Sequence, residues 1–247
     1  MSCVAVVDAD FRIPEEASGH TNRVLCTLLQ VHRLKRNANG LNGLTHFLSE
    51  NFGDWMQDII LNTLKESMAV KDASIKNSLD LLENGADRLA ECLASGHKVL
   101  IFGNGGSAAD AQHIAAEMVN RFRIERTPLA AIALTTDTSI ITSIGNDYNF
   151  SEIFVKQLKA LGNANDIAWA ISTSGNSQNV IVATREARKI GMFTMAMTGR
   201  GGELASVAEL VLKVNSDETP RIQETQITMA HILCDLVDRI LFPGVQH

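Results

Sequence analysis

His113 and Glu117 stand four residues apart at the end of the run Lys98 to Glu117, KVLIFGNGGSAADAQHIAAE. On a helix that spacing puts both side chains about 40° apart on one face. An imidazole and a carboxylate so placed can pass a proton or share a metal ion. Near the C-terminus, Gln223 and His231 are eight residues apart, which is roughly 80° around a helix and about 12 Å along it. They flank one groove rather than touch. Two facing helices would bring all four side chains together; otherwise each is an ordinary surface polar group. His231 is embedded in Ile227, Met229, Ala230, Ile232 and Leu233. A polar group on so apolar a helix needs a partner when it is buried.

Two turns supply places for an anion. Val99 to Phe102 reads as a buried parallel strand. Gly103, Gly105 and Gly106 then allow close backbone approach, and Ser107 is a fitting N-cap for the helix that follows. Free N–H groups at a helix start attract anions, although a plain strand-to-helix turn also uses glycine. There is no GxGxxG and no Gly-Lys-Ser/Thr, so neither a dinucleotide fingerprint nor a P-loop is present. The second turn is more telling. The apolar stretch Asp166 to Ser172 ends in Ser172-Thr173-Ser174-Gly175-Asn176-Ser177, with helix expected from Gln178. A structural turn needs one capping residue, whereas this one carries four hydroxyls. Hydroxyls with helix-start N–H groups make a phosphate cup without Lys or Arg. The formal net charge is −6, so local dipoles rather than long-range steering must hold a phosphate.

The elements that must position these residues follow from periodicity. Strands are predicted at 98–102, 129–135, 166–172, 192–198 and 210–214. Helices are predicted at Met56–Ala69, Ala73–Ala94, 107–121, 150–161 and 178–190, with a last one over about 220–241. The last opens on Thr219-Pro220, with Thr as N-cap and Pro at the first helical position. This alternation predicts an α/β fold with a five-stranded parallel sheet and helices on both faces. Ligands of such sheets sit at the carboxyl ends of the strands, where both turns lie. Residues 1–54 read as an irregular extension, partly ordered at best, with a short helix over Arg23 to Lys35. Its basic cluster Arg33-Leu34-Lys35-Arg36 is a solvated face or a nucleic-acid contact. Residues 55–247 form the main domain, with a helical part at 55–95.

Composition excludes several classes. A chain of 247 residues with 45% hydrophobic and 20% charged content is ordinary for a globular protein. The acidic balance argues against a nucleic-acid surface. The apolar runs fall short of a membrane span, and no signal peptide is expected. Cys3, Cys26, Cys92 and Cys234 are scattered without a CxxC, which fits reduced thiols in a cytoplasmic protein.

From about Trp55 to Phe242 the chain resembles the SIS (sugar isomerase) fold family and, within it, the sedoheptulose 7-phosphate isomerases. The resemblance rests on GNGGSAADAQHIAAEM at 103–118, LTTDTSIITSIGNDYNF at 134–150, STSGNS at 172–177 and RIQETQITMAHIL at 221–233. It implies a three-layer αβα, flavodoxin-like SIS domain with long N-terminal helices. It implies that Asn104, Gly105, Gly106, Ser107, Glu117 and Gln223 contact substrate, as do Asn146 and Asp147 in the GND turn. Ser172, Thr173, Ser174 and Ser177 would hold the phosphate. Glu117 and His231 match the family's acid–base pair, and His113, Glu117, Gln223 and His231 its ligands for one Zn2+ per subunit. The family is homotetrameric with active sites between subunits, so the two-helix groove can combine helices of different chains. The implied reaction converts D-sedoheptulose 7-phosphate to D-glycero-D-manno-heptose 7-phosphate through an enediolate. It opens ADP-heptose synthesis for the lipopolysaccharide core. No nucleic acid and no membrane partner is expected.

Other readings share the fold. CDLVD…LFP at 234–243 and NRF at 120–122 resemble the non-catalytic DnaA initiator-associating protein, which lacks the Glu and His found here at 117 and 231. A sugar-sensing regulator would need a DNA-binding domain. Isomerases of fructose 6-phosphate or ribulose 5-phosphate usually carry extra domains or lack the HxxxE and QxxxxxxxH pair of patterns.

Overall fold

The computed structural model describes secondary structure for residues 40–245 and side chains for residues 55–245. The expected helix over Arg23 to Lys35 and the basic cluster at 33–36 lie outside the described residues. The chain divides into two units, residues 1–63 and 64–247.

In the second unit five strands form one parallel sheet: β1 (Val99–Gly103), β2 (Ala131–Ala133), β3 (Ile167–Ser172), β4 (Phe193–Thr198) and β5 (Leu210–Lys213). Their order is β2-β1-β3-β4-β5. Val99 pairs with both Ala131 and Ile167, Ile167 with Phe193, and Met195 with Leu210. The central strands β1 and β3 are buried on both faces, as parallel strands covered by helices are, whereas the edge strand β2 leaves Ile132 exposed. Successive side chains alternate between two cores. Ile101, Trp169, Met195, Met197 and Leu212 pack on one side. Leu100, Phe102, Ala168, Ala170 and Ala196 pack on the other.

The helices are α1 (Gly40–Lys76), α2 (Leu79–Ala94), α3 (Gly106–Val119), α4 (Thr138–Asp147), α5 (Ile153–Leu161), α6 (Gln178–Ile190), α7 (Leu204–Val207) and α8 (Thr219–Leu241). In α2, Leu82, Ala86, Leu89 and Ala90 recur at helical spacing and are buried. Gly85 lets α2 approach α8 closely, because a Cβ there would meet Leu233 at 3.3 Å. Helix α6 stops at Gly191, whose φ of 90° only glycine adopts without strain.

The three-layer αβα arrangement and all five strands match expectation to within two residues at each end. Several details do not. Helix α1 begins at Gly40, sixteen residues before the expected Met56, and the first break falls at Asn77–Ser78. Helices α4 and α7 were not foreseen. Ser107 is buried inside α3, whose N-cap is Gly105, and Glu218 rather than Thr219 caps α8. The GND segment is not a turn but the last residues of α4.

Candidate active site

The carboxyl ends of β1 and β3 lie side by side and deliver the two turns to one rim. Gly103 ends β1 with no room for a side chain: a Cβ would sit 2.7 Å from the Ile171 carbonyl and 2.8 Å from Ser107 Cβ. Gly105 follows at φ 55° and starts α3. The Gln223 side chain lies against Gly106, where a Cβ would come within 2.9 Å of its Cδ. Glycine there is what allows α8 to lay this amide over the start of α3.

Beyond β3, Ser172 Oγ and Ser177 Oγ are 3.1 Å apart, and the Asn176 N–H donates to Ser174 Oγ at 3.1 Å. Ser172 is buried, Thr173 and Ser177 are half-buried and Ser174 is exposed. The loop after β4 braces this cup from outside. Gly199 N–H donates to the Thr173 carbonyl at 2.9 Å, Leu204 N–H to that of Gly175 at 2.9 Å, and Glu203 N–H to Asn176 Oδ1 at 3.0 Å. Asn176 is therefore engaged in holding the cup's shape. Gly175, at φ 65°, runs against Gly201 and Gly202 with no space for a Cβ.

Along α3, Gly106, Asp110, His113 and Glu117 recur at helical spacing and form one stripe. His113 Nε2 is 3.0 Å from Glu117 Oε1, and His231 Nε2 is 3.4 Å from His113 Nε2. The two imidazoles meet edge to face, and the Phe122 ring also packs against that of His231, 5.3 Å between centroids. His113 is exposed; Glu117 and His231 are half-buried. Burial, then the neighbouring His113, push the His231 pKa below the ordinary histidine value, with Glu117 opposing. A neutral His231 at pH 7 can accept a proton or ligate a metal. Burial pushes the Asp110 carboxyl up, and its Oδ2 is buried without a partner among the described residues.

One atom of each of His113, Glu117 and His231 lies within 4.8 Å of the others. A tetrahedral zinc with bonds of about 2.0–2.1 Å sets its donors about 3.3–3.4 Å apart. The 3.4 Å between the two Nε2 atoms meets that spacing, and 3.0 Å to the carboxylate is slightly tighter. Donor types and spacing therefore fit a zinc-like ion. All three donors come from one chain, so this cluster does not require helices of different subunits. The fourth expected ligand, Gln223, lies against Gly106, two turns nearer the start of α3 than His113.

Asn146 and Asp147 are the last residues of α4, the helix that follows β2; Asn146 Nδ2 donates to Asp147 Oδ1 at 2.9 Å, and both are exposed. The Asn104 side chain is bonded to Asn179. Asn179, Asp110 and the buried pair Arg126–Asp238 were not singled out from sequence. Only Asp238 left a trace there, as a carboxylate seven residues after His231 on an apolar helix. A separate cleft of about 510 Å³ opens at the amino ends of the strands, lined by Arg88, Glu91, His97, Arg188 and Phe193 among others. Its Arg88 is 3.5 Å from Glu91 and Arg188 donates to the Val207 carbonyl, so it presents no comparable set of converging donors.

Residues 64–199 match the SIS domain family. The chain is 52% identical over 188 residues to a phosphoheptose isomerase of Nitratidesulfovibrio vulgaris, covering 76% of this chain and 90% of that one. It is 50% identical over 187 residues to a phosphoheptose isomerase of Aquifex aeolicus, covering 75% of this chain and 98% of that one. Among solved structures it resembles the phosphoheptose isomerases of Neisseria gonorrhoeae (TM-score 0.70, 44% identity) and Francisella tularensis (TM-score 0.72, 40% identity). Each covers 74% of this chain and 98% of its own.

Proposed function

The chain belongs to the SIS domain family and, within it, to the phosphoheptose isomerases, and we propose that Glu117 and His231 carry out its aldose–ketose isomerisation. The substrate is D-sedoheptulose 7-phosphate and the product D-glycero-D-manno-heptose 7-phosphate, the entry to ADP-heptose synthesis for the lipopolysaccharide core. The observation that carries this reading is the meeting of His113, Glu117 and His231 in one cluster, on the rim that also bears the hydroxyl cup. A non-catalytic binding protein has no need of that convergence.

The reaction moves a carbonyl from C2 to C1. Glu117 takes a proton from C1 and returns it to C2, with an enediolate between. His231, neutral at pH 7, moves the proton between the two oxygens. Ser172, Thr173, Ser174 and Ser177 hold the phosphate, and that distant anchor orients the reacting end. Asn104, Gly105, Gly106, Ser107, Asn146 and Asp147 contact the sugar. His113, Glu117, Gln223 and His231 would hold one Zn2+. When bound, the ion supplies positive charge to the enediolate oxygens. Sharing the carboxylate with His113 through Oε1 leaves Oε2 for the proton.

The active enzyme is a cytoplasmic homotetramer with substrate pockets completed between subunits. Support comes from exposed apolar side chains along α1, including Ile60 at 64%, Leu64 at 54% and Met68 at 61%. Cys92 and Cys234 are free thiols, and no described helix is long and apolar enough to cross a membrane. Residues 1–54 are an appendage to the isomerase domain at 55–247. Incubation of the purified protein with sedoheptulose 7-phosphate, with and without a chelator, tests the reading. An aldoheptose phosphate forms without chelator, and metal analysis finds zinc that the chelator removes. No product in either condition would favour a binding protein.

A further inference from the structure

Asn104 and Asn179 exchange two side-chain hydrogen bonds, each 2.8 Å, the Nδ2 of each donating to the Oδ1 of the other. Asn104 directly follows the last residue of β1. Asn179 is the second residue of α6, just past the hydroxyl cup that ends β3. The strand order β2-β1-β3-β4-β5 makes the β1/β3 boundary the place where connections turn in opposite directions. Loops diverge there and open the crevice in which such sheets bind ligands. The amide pair bridges that crevice. Asn179 is 4% exposed, and its Oδ1 also accepts the Val180 N–H at 3.0 Å, so its amide is fixed in one orientation. Helix α3 starts two residues after Asn104, and along it sit His113 and Glu117. Any shift of Asn104 is therefore passed to the helix that carries the chemistry.

We propose that Asn179 is a positioning residue for the isomerisation: paired with Asn104, it sets the distance between the phosphate cup and the helix bearing His113 and Glu117. The inference rests on the isomerase reading. A seven-carbon sugar phosphate held by its phosphate presents C1 at the far end of the chain, so a small change in that distance misplaces the reacting carbon. Asn104 then serves the sugar through its backbone, its side chain being spent on the bridge. The four hydroxyls of the cup take no part in the bridge, so phosphate binding and alignment are separable.

Wild type, Asn179→Ala, Asn104→Ala and the double variant are assayed on sedoheptulose 7-phosphate, with inorganic phosphate as competitive inhibitor and thermal unfolding alongside. The bridge predicts that kcat falls roughly 100-fold, the scale of a 1 Å misplacement, while the inhibition constant for phosphate stays near wild type. The double variant is no worse than either single one, because both remove the same interaction. Should the buried Asn179→Ala fail to fold, Asn104→Ala, on the half-buried side, must show the same split. A wild-type kcat in Asn104→Ala overturns the proposal, and so does a fall in kcat matched by an equal loss of phosphate inhibition. Turnover by wild type with unchanged variants rejects the bridge alone, whereas no turnover by wild type rejects the isomerase reading and the bridge with it.

Discussion

Arg126 Nε donates to Asp238 Oδ1 at 2.8 Å with both side chains 2% exposed, joining the end of α3 to α8. The same guanidinium donates to the carbonyls of Met118 at 2.7 Å and Glu117 at 2.9 Å. It thus fills acceptors that a helix C-terminus leaves open. Glu117 and His231 ride on these two helices. Arg126→Ala leaves Asp238 buried and unpaired, at an expected cost of about 3–5 kcal/mol. Denaturant unfolding measures this. A loss under about 1 kcal/mol, the range of exposed pairs, would show that the buried pair does not hold the helices.

Gly106 separates stability from function. Alanine is the better helix former, by up to about 1 kcal/mol in a helix interior. Its Cβ would nevertheless stand 2.9 Å from Gln223 Cδ and 3.1 Å from Oε1, and a flexible side chain yields by moving away. Gly106→Ala is therefore expected to unfold at or slightly above the wild-type temperature while kcat/KM falls. Unchanged kcat/KM would remove the Gln223 amide from the account.

Ser174→Ala tests the cup. Its hydroxyl accepts the Asn176 N–H and is otherwise open to solvent. Losing a hydroxyl that binds phosphate costs about 1–3 kcal/mol, read as a raised KM with kcat retained. Steady-state kinetics on the phosphorylated sugar decide it, and an unaltered KM would mean that the phosphate is held elsewhere.

The sheet was legible because its strands are short apolar runs, and β1 and β3 end in the Gly and Ser turns of the site, Gly103 and Ser172, which a local reading detects. The cluster was legible because HxxxE and a histidine on an apolar helix are local patterns. What escaped had weaker local signals. Helix α4 is short and rich in β-branched Thr and Ile, poor helix formers, and is set by Asp137 accepting the Ile140 N–H at 2.9 Å. Helix α1 opens at Gly40 with Gly43 close behind, which masks Leu41, Leu44 and Leu48 at helical spacing. Ser107 reads as a cap, yet Gly103 draws it against the strand end and buries it. Arg126 reads as one of several loop cations and Asn179 as one more polar residue after STSGNS. Their partners are 112 and 75 residues away, beyond any local pattern.

The central claim is that Glu117 shuttles a proton between C1 and C2. Wild type and Glu117→Gln, each checked for native circular dichroism, are incubated with sedoheptulose 7-phosphate in deuterium oxide. Wild type is expected to release aldoheptose phosphate, with deuterium at C2 only to the extent that the proton held on Glu117 exchanges with solvent before it is returned, and the folded variant to release no product. Product from Glu117→Gln at the wild-type rate would contradict the account.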